Sequence, residues 1–224
     1  MQQNQVIKGF TIIELLVVLI LIGIISAVGY PSMSGWRIDR DVRSATEKIS
    51  SLFTNITIRT KNNSYPFVQV NIKKPLSGSF LITSKGMPQE LFNDKLNSGG
   101  TTISCTDNDW DDDDKVQTIS SYQLVDEVFI NMSSGSGSVC FSNDGAYFED
   151  TLSFPNVNAP GSKEGSDVTK NYIIVCSAKD ARYNLKCPTD DDKLKKPAYL
   201  IQWSRFGVIN KYRWNENNKT WVRN

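Results

Sequence analysis

One carboxylate lies inside an otherwise apolar segment near the start of the chain. Glu14 follows the uncharged residues 10–13, and no other charged residue occurs over residues 15–36. A helix over residues 10–30 would be roughly 31 Å long at about 1.5 Å per residue, which matches the apolar thickness of a bilayer. Because a charge at mid-bilayer depth costs about 2.5–3.5 kcal/mol on insertion scales, Glu14 is expected to have a partner.

A short polar leader, residues 1–9, precedes this segment and ends in Lys8-Gly9. Cleavage after Gly9 would leave a new amine on Phe10, near enough to Glu14 of a neighbouring chain to compensate its charge. An ordinary signal peptide has an apolar core of about 7–15 residues and then a small-residue cleavage site. A plain signal anchor has no reason to carry a carboxylate in its apolar run. The pattern therefore indicates a subunit that is cleaved, held in a membrane and then stacked.

Residues 8–15, Lys-Gly-Phe-Thr-Ile-Ile-Glu-Leu, resemble the class III signal of type IV pilins and type II secretion pseudopilins. The resemblance implies cleavage after Gly9 by a prepilin peptidase and N-methylation of Phe10. It also implies that Glu14 is used in assembly with other pilin or pseudopilin subunits through the N-terminal helix. The implied location is the bacterial inner membrane, with a single pass and a periplasmic head, and afterwards a pilus or pseudopilus.

Beyond Pro31 the sequence changes from apolar all round to amphipathic. Apolar residues then recur at steps of three and four: Ile38, Val42, Ala45, Ile49, Leu52, Phe53 and Ile56. This spacing predicts a helix with one buried stripe that ends near Lys61. We therefore divide the chain into a leader over residues 1–9, a transmembrane and assembly helix over 10–31, an amphipathic helix over 32–62 and a β-rich globular head over 63–224.

Helical periodicity ends after residues 62–64, and short segments bounded by Gly, Pro, Asn and Asp clusters follow. We predict strands over residues 67–72, 79–83, 101–104, 122–130, 138–141, 172–176, 199–203 and 209–214. Residues 157–169 are rich in Gly, Ser, Pro and Asn and are predicted to form a loop. One long helix followed by many short strands predicts a pilin-like α+β fold, in which the helix packs on a head of antiparallel β-sheet.

Four cysteines lie downstream of the apolar segment: Cys105, Cys140, Cys176 and Cys187. An even number in an exported domain favours two disulfides, of which three pairings are possible. We favour Cys105–Cys140 and Cys176–Cys187, because the second pair closes a short loop and would contribute about 2–4 kcal/mol. The chain has no Cys-x-x-Cys motif and no histidine, so a zinc site is not expected.

An acidic run occupies residues 107–114. Its alternating carboxylates could supply oxygen ligands to calcium, with Asp107, Asp109 and Asp111 as the candidates. However, a loop of the EF-hand type counted from Asp107 lacks both the glycine at its sixth position and the glutamate at its twelfth. We therefore interpret the run as a solvated acidic loop, with calcium binding as the alternative and no other cofactor expected.

Cations alternate with aromatic residues at the C-terminus, where the cations are Arg205, Lys211, Arg213, Lys219 and Arg223. An exposed strip of this kind could hold phosphates and stack bases. Some minor pilins of the FimT type use a basic C-terminal element to capture DNA for natural transformation, but tightly spaced arginines do not follow Gly207 here. The interpretation we favour is a final hairpin whose aromatic side chains fill the core and whose cations form an ordinary solvated face.

A structural subunit fits these observations better than an enzyme. Without histidine the usual general base near neutral pH is missing, and neither a Gly-x-Ser-x-Gly motif nor a Walker-type loop occurs. Residues 43–62, 141–145 and 204–209 weakly resemble elements of GspH/FimT-type minor pilins and pseudopilins. We therefore predict a minor pilin or pseudopilin that helps filament assembly, with a DNA-binding minor pilin or a major pilin as alternatives. Type IV pili and type II secretion systems share this N-terminal chemistry, so the sequence does not separate them.

Overall fold

The computed structural model describes residues 10–62, 64–74, 79–98, 103–131, 136–144, 149–150, 171–181, 187, 197–215, 217–218 and 220–223. The side chains of residues 27–34, 136, 149–150 and 180 are not part of this description. Contacts divide the chain into two compact units, Met1–Ile38 and Asp39–Asn224. The predicted leader over residues 1–9 and the predicted loop over residues 157–169 lie outside the described residues.

The secondary-structure elements begin with one long helix. They are α1 (Ile12–Lys61), β1 (Phe67–Lys73), β2 (Leu81–Met87), α2 (Gln89–Asn97), a 3-10 turn (Asn108–Asp111), β3 (Gln117–Gln123), β4 (Val128–Ile130), β5 (Ser136–Ser142), β6 (Glu149–Asp150), β7 (Tyr172–Ser177), α3 (Ala178–Ala181), β8 (Tyr199–Trp203), β9 (Ile209–Asn215) and β10 (Thr220–Arg223). The α+β class with antiparallel sheets is confirmed, as is the end of the first helix at Lys61.

In the first unit, every residue from 10 to 26 is exposed to solvent in the single chain. Most of these side chains are Leu, Ile or Val, and Ile12 is 88% exposed. A contiguous apolar surface of this extent is expected to be covered by lipid or by another protein.

No helix in the described part of the chain is both long enough and apolar enough to cross a membrane.

In the second unit, the remainder of α1 buries the predicted stripe from Val42 onward: Val42, Ala45, Ile49, Leu52, Phe53 and Ile56. Ile38, the first residue of the predicted stripe, belongs to the first unit and is half-buried. Hydroxyl residues of the same helix are buried as well, and they donate to carbonyls one turn back along the helix. Thr46 donates to Val42 at 2.8 Å and Thr60 to Ile56 at 3.2 Å. The buried face is therefore wider than the apolar stripe alone.

Two five-stranded antiparallel sheets form the rest of this unit. Their strand orders are β3-β2-β1-β5-β6 and β10-β9-β8-β7-β4. Phe53 of α1 touches both: its ring meets Phe141 of β5 edge-on at 6.0 Å and stacks on Trp203 of β8 at 4.9 Å. The main core thus lies where α1 meets one face of each sheet.

A second, smaller core lies on the opposite face of the first sheet. Its buried members are Phe67, Met87, Phe92, Ile103, Cys105, Trp110, Val116 and Cys140. They come from β1, β2 and β5 and from the chain between β2 and β3, which includes α2 and the 3-10 turn. The sequence did not indicate α2, because only Phe92 and Lys95 of its nine residues are buried.

The strand predicted over residues 122–130 is wrong, because the chain changes sheets in this stretch. The Leu124 amide donates to the Phe80 carbonyl at 2.9 Å, and the Val128 amide donates to the Val125 carbonyl at 3.1 Å, which forms a turn. β3 therefore ends in the first sheet and β4 begins in the second. The strand predicted over residues 101–104 is also wrong where it is described, at Ile103 and Ser104, since the Ser104 carbonyl accepts from the Trp110 indole at 2.9 Å within the smaller core.

Candidate functional site

The first turn of α1 is closed by Thr11 and Glu14. The Thr11 amide and hydroxyl each donate to Glu14 Oε2 at 3.4 Å, and the Glu14 amide donates to Thr11 Oγ1 at 3.3 Å. This reciprocal arrangement is a capping box, which satisfies amides that a helix N-terminus leaves unpaired. The capping box therefore orients the Glu14 carboxylate toward the N-terminal end of α1, within a single chain.

Glu14 keeps capacity for a further partner. Both contacts from Thr11 reach the same oxygen, and an ionised carboxylate can accept about four hydrogen bonds over its two oxygens. Phe10, one residue before Thr11, is 86% exposed. Gly9, the residue before the predicted cleavage, lies outside the described residues. A cationic amine from a neighbouring chain could thus approach the carboxylate without displacing Thr11.

The basic residues of the C-terminus do not share one face. Lys211 and Arg213 are two apart on β9 and so point to the same side of the sheet. That side faces α1, because Lys211 Nζ donates to Glu47 at 2.7 Å. Arg223 pairs in register with Tyr212, so it lies on the opposite side, where it donates to Asn210 at 2.9 Å.

The other members of the predicted strip are dispersed as well. Arg205 lies in the turn between β8 and β9, with its guanidinium 5.5 Å from the ring of Phe206. Trp214 is buried and meets Trp221 edge-on at 5.2 Å, so these two rings pack against each other. Lys219 lies outside the described residues. The described cations therefore form no continuous cationic and aromatic surface.

The turn between β8 and β9 is fixed to α1 by Gly207. This residue has φ +75° and is buried, and a Cβ placed on it would lie 2.1 Å from Thr57 Oγ1. Thr57 Oγ1 donates to the Gly207 carbonyl at 3.1 Å. Only glycine combines the left-handed backbone with this close approach.

At the other end of the hairpin, the Tyr199 hydroxyl donates to Asp39 at 3.5 Å. Burial, and then the negative charge of Asp39, raises the pKa of Tyr199, so this phenol stays protonated at physiological pH. The hairpin is therefore held on α1 at both ends, by neutral groups at Thr57 and by a protonated donor at Tyr199.

Part of the acidic run forms an ion-pair cluster around Lys95, whereas Asp111, Asp113 and Asp114 are exposed, as predicted for a solvated loop. Lys95, which is 8% exposed, contacts Asp107 and lies 2.7 Å from Asp109. Burial acts to lower the pKa of Lys95, but the hydrogen bonds to the two carboxylates outweigh it and the pKa is raised. The pKa of Asp109 is lowered, first by its hydrogen bond to Lys115 and then by that to Lys95.

The calcium candidates are thus engaged by lysines. Asp111, the third of them, lies 3.6 Å from Lys73 of β1. Within the described part of the chain, no three Cys, Asp or Glu side chains are grouped so as to hold a metal ion. Calcium binding would require Asp107 and Asp109 to leave Lys95, whose buried ammonium would then lack a counter-ion.

Both disulfides have the pairing favoured from the sequence, Cys105–Cys140 and Cys176–Cys187. The first joins the smaller core to β5. The second joins β7 to Cys187, whose sulfur lies 3.6 Å from the Ile174 carbonyl. Each bridge therefore ties a connecting segment to a sheet.

Sequence reasoning missed three of these features. The capping box could have been read from the Thr-x-x-Glu spacing of residues 11–14. Gly207 gave only a turn signal, since its contact with Thr57 spans 150 positions of the chain. The burial of Lys95 had no sequence signal, because a lysine on a short polar helix is normally exposed.

Comparison with protein families identifies the prokaryotic N-terminal methylation motif over residues 5–30. The motif is a type IV pilin-like signal, and it implies processing by a prepilin peptidase and assembly with other pilins. It fits a membrane-anchored, pilin-like precursor with a structural rather than an enzymatic role. The comparisons with curated proteins and with solved structures give no match.

Proposed function

We propose that the chain is a minor pilin or pseudopilin of the GspH/FimT type, which is incorporated into a type IV pilus or a type II secretion pseudopilus and helps its assembly. The observation that carries the proposal is the N-terminal motif together with the capping box of Thr11 and Glu14. The motif implies a precursor for the prepilin peptidase, and the capping box prepares the carboxylate that assembly would use.

In this proposal, the peptidase cleaves after Gly9 and leaves a methylated amine on Phe10. The amine stays cationic, and Glu14 of an adjacent subunit accepts it while still bonded to Thr11. Each charge alone would be costly in an apolar environment, whereas the pair removes much of that penalty. The exposed apolar residues of the segment 10–26 would be covered by lipid in the precursor and by neighbouring helices in the filament.

The exported location is supported by the two disulfides, which form and persist in oxidising compartments. The head would face the periplasm while residues 10–31 anchor the precursor in the inner membrane. Because Phe53 packs against both sheets, the head is built on α1 rather than joined to it by a linker.

DNA capture and a major-pilin role are the alternative functions. The described cations lie on two sides of the second sheet, and Lys211 is neutralised by Glu47. This arrangement gives DNA no continuous basic track, so it supports assembly over DNA uptake.

The proposal is tested with Glu14→Ala in cells that produce the filament. We expect the variant precursor to be cleaved and its head to fold, but sheared filaments to contain no variant chain. Glu90→Ala is the matched control, because it removes one exposed carboxylate from α2 and should leave incorporation unchanged. Incorporation of the Glu14→Ala chain at the wild-type level would contradict the proposal.

A further inference from the structure

An open polar cleft of about 510 Å³ lies on the face of the first sheet that is turned away from α1. Its floor comes from β1, β2 and β5, and its wall from residues 105–111, which the Cys105–Cys140 bridge holds against the sheet. The wall is fixed further by Gln69, whose side-chain amide donates to the Cys105 carbonyl at 2.7 Å. The volume lies within the range of about 300–1,000 Å³ that is usual for small-molecule sites.

Three neutral polar side chains cross the floor in one row. Asn71 of β1 is directly opposite Thr83 of β2 on one side and Ser138 of β5 on the other. Because neighbouring strands are about 4.7–4.9 Å apart, the row presents an amide between two hydroxyls over roughly 10 Å. Sequence alone does not place these residues together, since they come from three separate strands.

Asn71 has hydrogen-bonding capacity that the described residues do not use. Its amide nitrogen donates to Ser138 Oγ at 2.7 Å, whereas its buried oxygen has no partner among the described residues. Turning the amide over would exchange the two atoms and still leave one of them unpaired. A buried polar atom without a partner is costly, so the position favours a bound water or ligand.

The charges around the cleft are already balanced. Lys85 donates to the Trp110 carbonyl at 2.7 Å and to Asp113 at 2.8 Å. Lys73 pairs with Asp111 at 3.6 Å, and Asp107 contacts Lys95. A charged ligand would have to break one of these pairs, whereas a neutral ligand would use the amide and hydroxyls of the floor.

From this arrangement we infer that the cleft binds a neutral, hydroxylated ligand, namely one or two sugar units of a carbohydrate. Sugar hydroxyls both donate and accept, which suits an amide and two hydroxyls in a row. Leu81, 37% exposed at one edge of the cleft, offers an apolar surface for the C–H face of a sugar ring. Trp110 is buried and serves as wall rather than as a stacking platform.

The test uses the full chain, labelled with 15N, in a detergent without a sugar headgroup. N,N′-diacetylchitobiose and maltose are titrated into the millimolar range, and inorganic phosphate and a neutral trialanine amide serve as comparison probes. We expect saturable shifts of the Asn71 side-chain amide and of the Thr83 and Gly137 backbone amides with at least one disaccharide. Phosphate and the peptide should leave these signals in place.

Thr83→Val keeps the shape of the floor and removes one hydroxyl, and Asn71→Leu removes the amide. Loss of one hydrogen bond should lower the affinity for the disaccharide about three- to tenfold in each variant. Thr118→Val is the control, because this residue is exposed on β3 and does not line the cleft. The inference is overturned if neither disaccharide saturates the signals, if phosphate or the peptide shifts them more, or if a folded Thr83→Val chain binds like the wild type.

Discussion

The ring of Phe53 on α1 stacks on the indole of Trp203 on β8, with centroids 4.9 Å apart and an angle of 19° between the planes. The same ring meets Phe141 of the first sheet edge-on at 6.0 Å, and all three side chains are buried. Phe53 is therefore the point at which the helix joins both sheets.

Phe53→Ala should destabilise the second unit by about 3–5 kcal/mol, because it leaves a cavity where three elements meet. Pulse proteolysis of the full chain across a urea series would measure the loss. Ile58→Ala, at a residue on the same helix that is 53% exposed, should change stability by no more than about 0.5 kcal/mol. Equal effects of the two substitutions would show that Phe53 does not join the sheets.

Gly207→Ala should lower stability by about 2 kcal/mol or more, since the new Cβ meets Thr57 and the φ of +75° is unfavourable for alanine. Thr57→Ala in the same chain should recover part of the loss, which a double-mutant cycle would record as coupling. Gly35→Ala is the control, because a Cβ there meets nothing within 4 Å. This substitution should stabilise α1 by about 0.5–1 kcal/mol. A Gly207→Ala chain of wild-type stability would contradict the close packing.

The cluster around Lys95 should make stability depend on pH at the acidic end. Hydrogen bonds to Lys115 and then Lys95 hold the pKa of Asp109 below its ordinary value of 3.8. A carboxyl group with a depressed folded-state pKa stabilises the fold above its unfolded pKa, and this stabilisation is lost as the pH falls through the folded-state pKa.

Asp109→Asn should therefore be about 1–3 kcal/mol less stable than the wild type near neutral pH. The difference should shrink as the pH falls below about 3.8 and the wild-type carboxyl becomes protonated. Urea denaturation at a series of pH values would measure it, with Asp114→Asn, at an exposed residue of the same run, as the control. A difference that stays constant down to the lowest pH would mean that the ion pairs do not stabilise the cluster.

Double-stranded DNA should bind the chain weakly, with a shallow dependence on salt. Lys211 is neutralised by Glu47, and Arg213 and Arg223 lie on opposite sides of the sheet. Fluorescence anisotropy over a salt series would measure both affinity and slope. Tight binding whose slope in log salt falls by about one in Arg213→Ala would instead favour DNA uptake.

The long helix α1 was predictable because its buried residues recur along the chain with the helical period. The stripe from Val42 to Ile56 follows steps of three and four, and the structure buries all of it. Strands β8 and β9 of the second sheet were predictable because residues 199–203 and 209–214 are short segments with β-branched and aromatic residues and a glycine-containing turn between them. β10 of the same sheet was not predicted, and β4 was placed inside the wrong strand over residues 122–130.

The smaller core was not predictable, because its stability depends on contacts between distant positions. Lys95 can be buried because it pairs with Asp107, just before the 3-10 turn, and with Asp109 in that turn. The sequence around Lys95 does not indicate these contacts. For the candidate site, the cleavage position and Glu14 could be named from the sequence, and the Thr-x-x-Glu spacing of residues 11–14 also carried a signal for the capping role of Thr11. The sequence could not show whether the C-terminal cations share one face, because strand register divides them between the two faces of the sheet.

The most direct measurement is the mass of the N-terminal peptide of the mature chain, isolated from cells that contain a prepilin peptidase. We predict a peptide that begins at Phe10 and carries one methyl group on its amine. A Gly9→Val chain should accumulate as the uncleaved precursor in the same cells. A mature chain that still begins at Met1, or at any residue other than Phe10, would contradict the account.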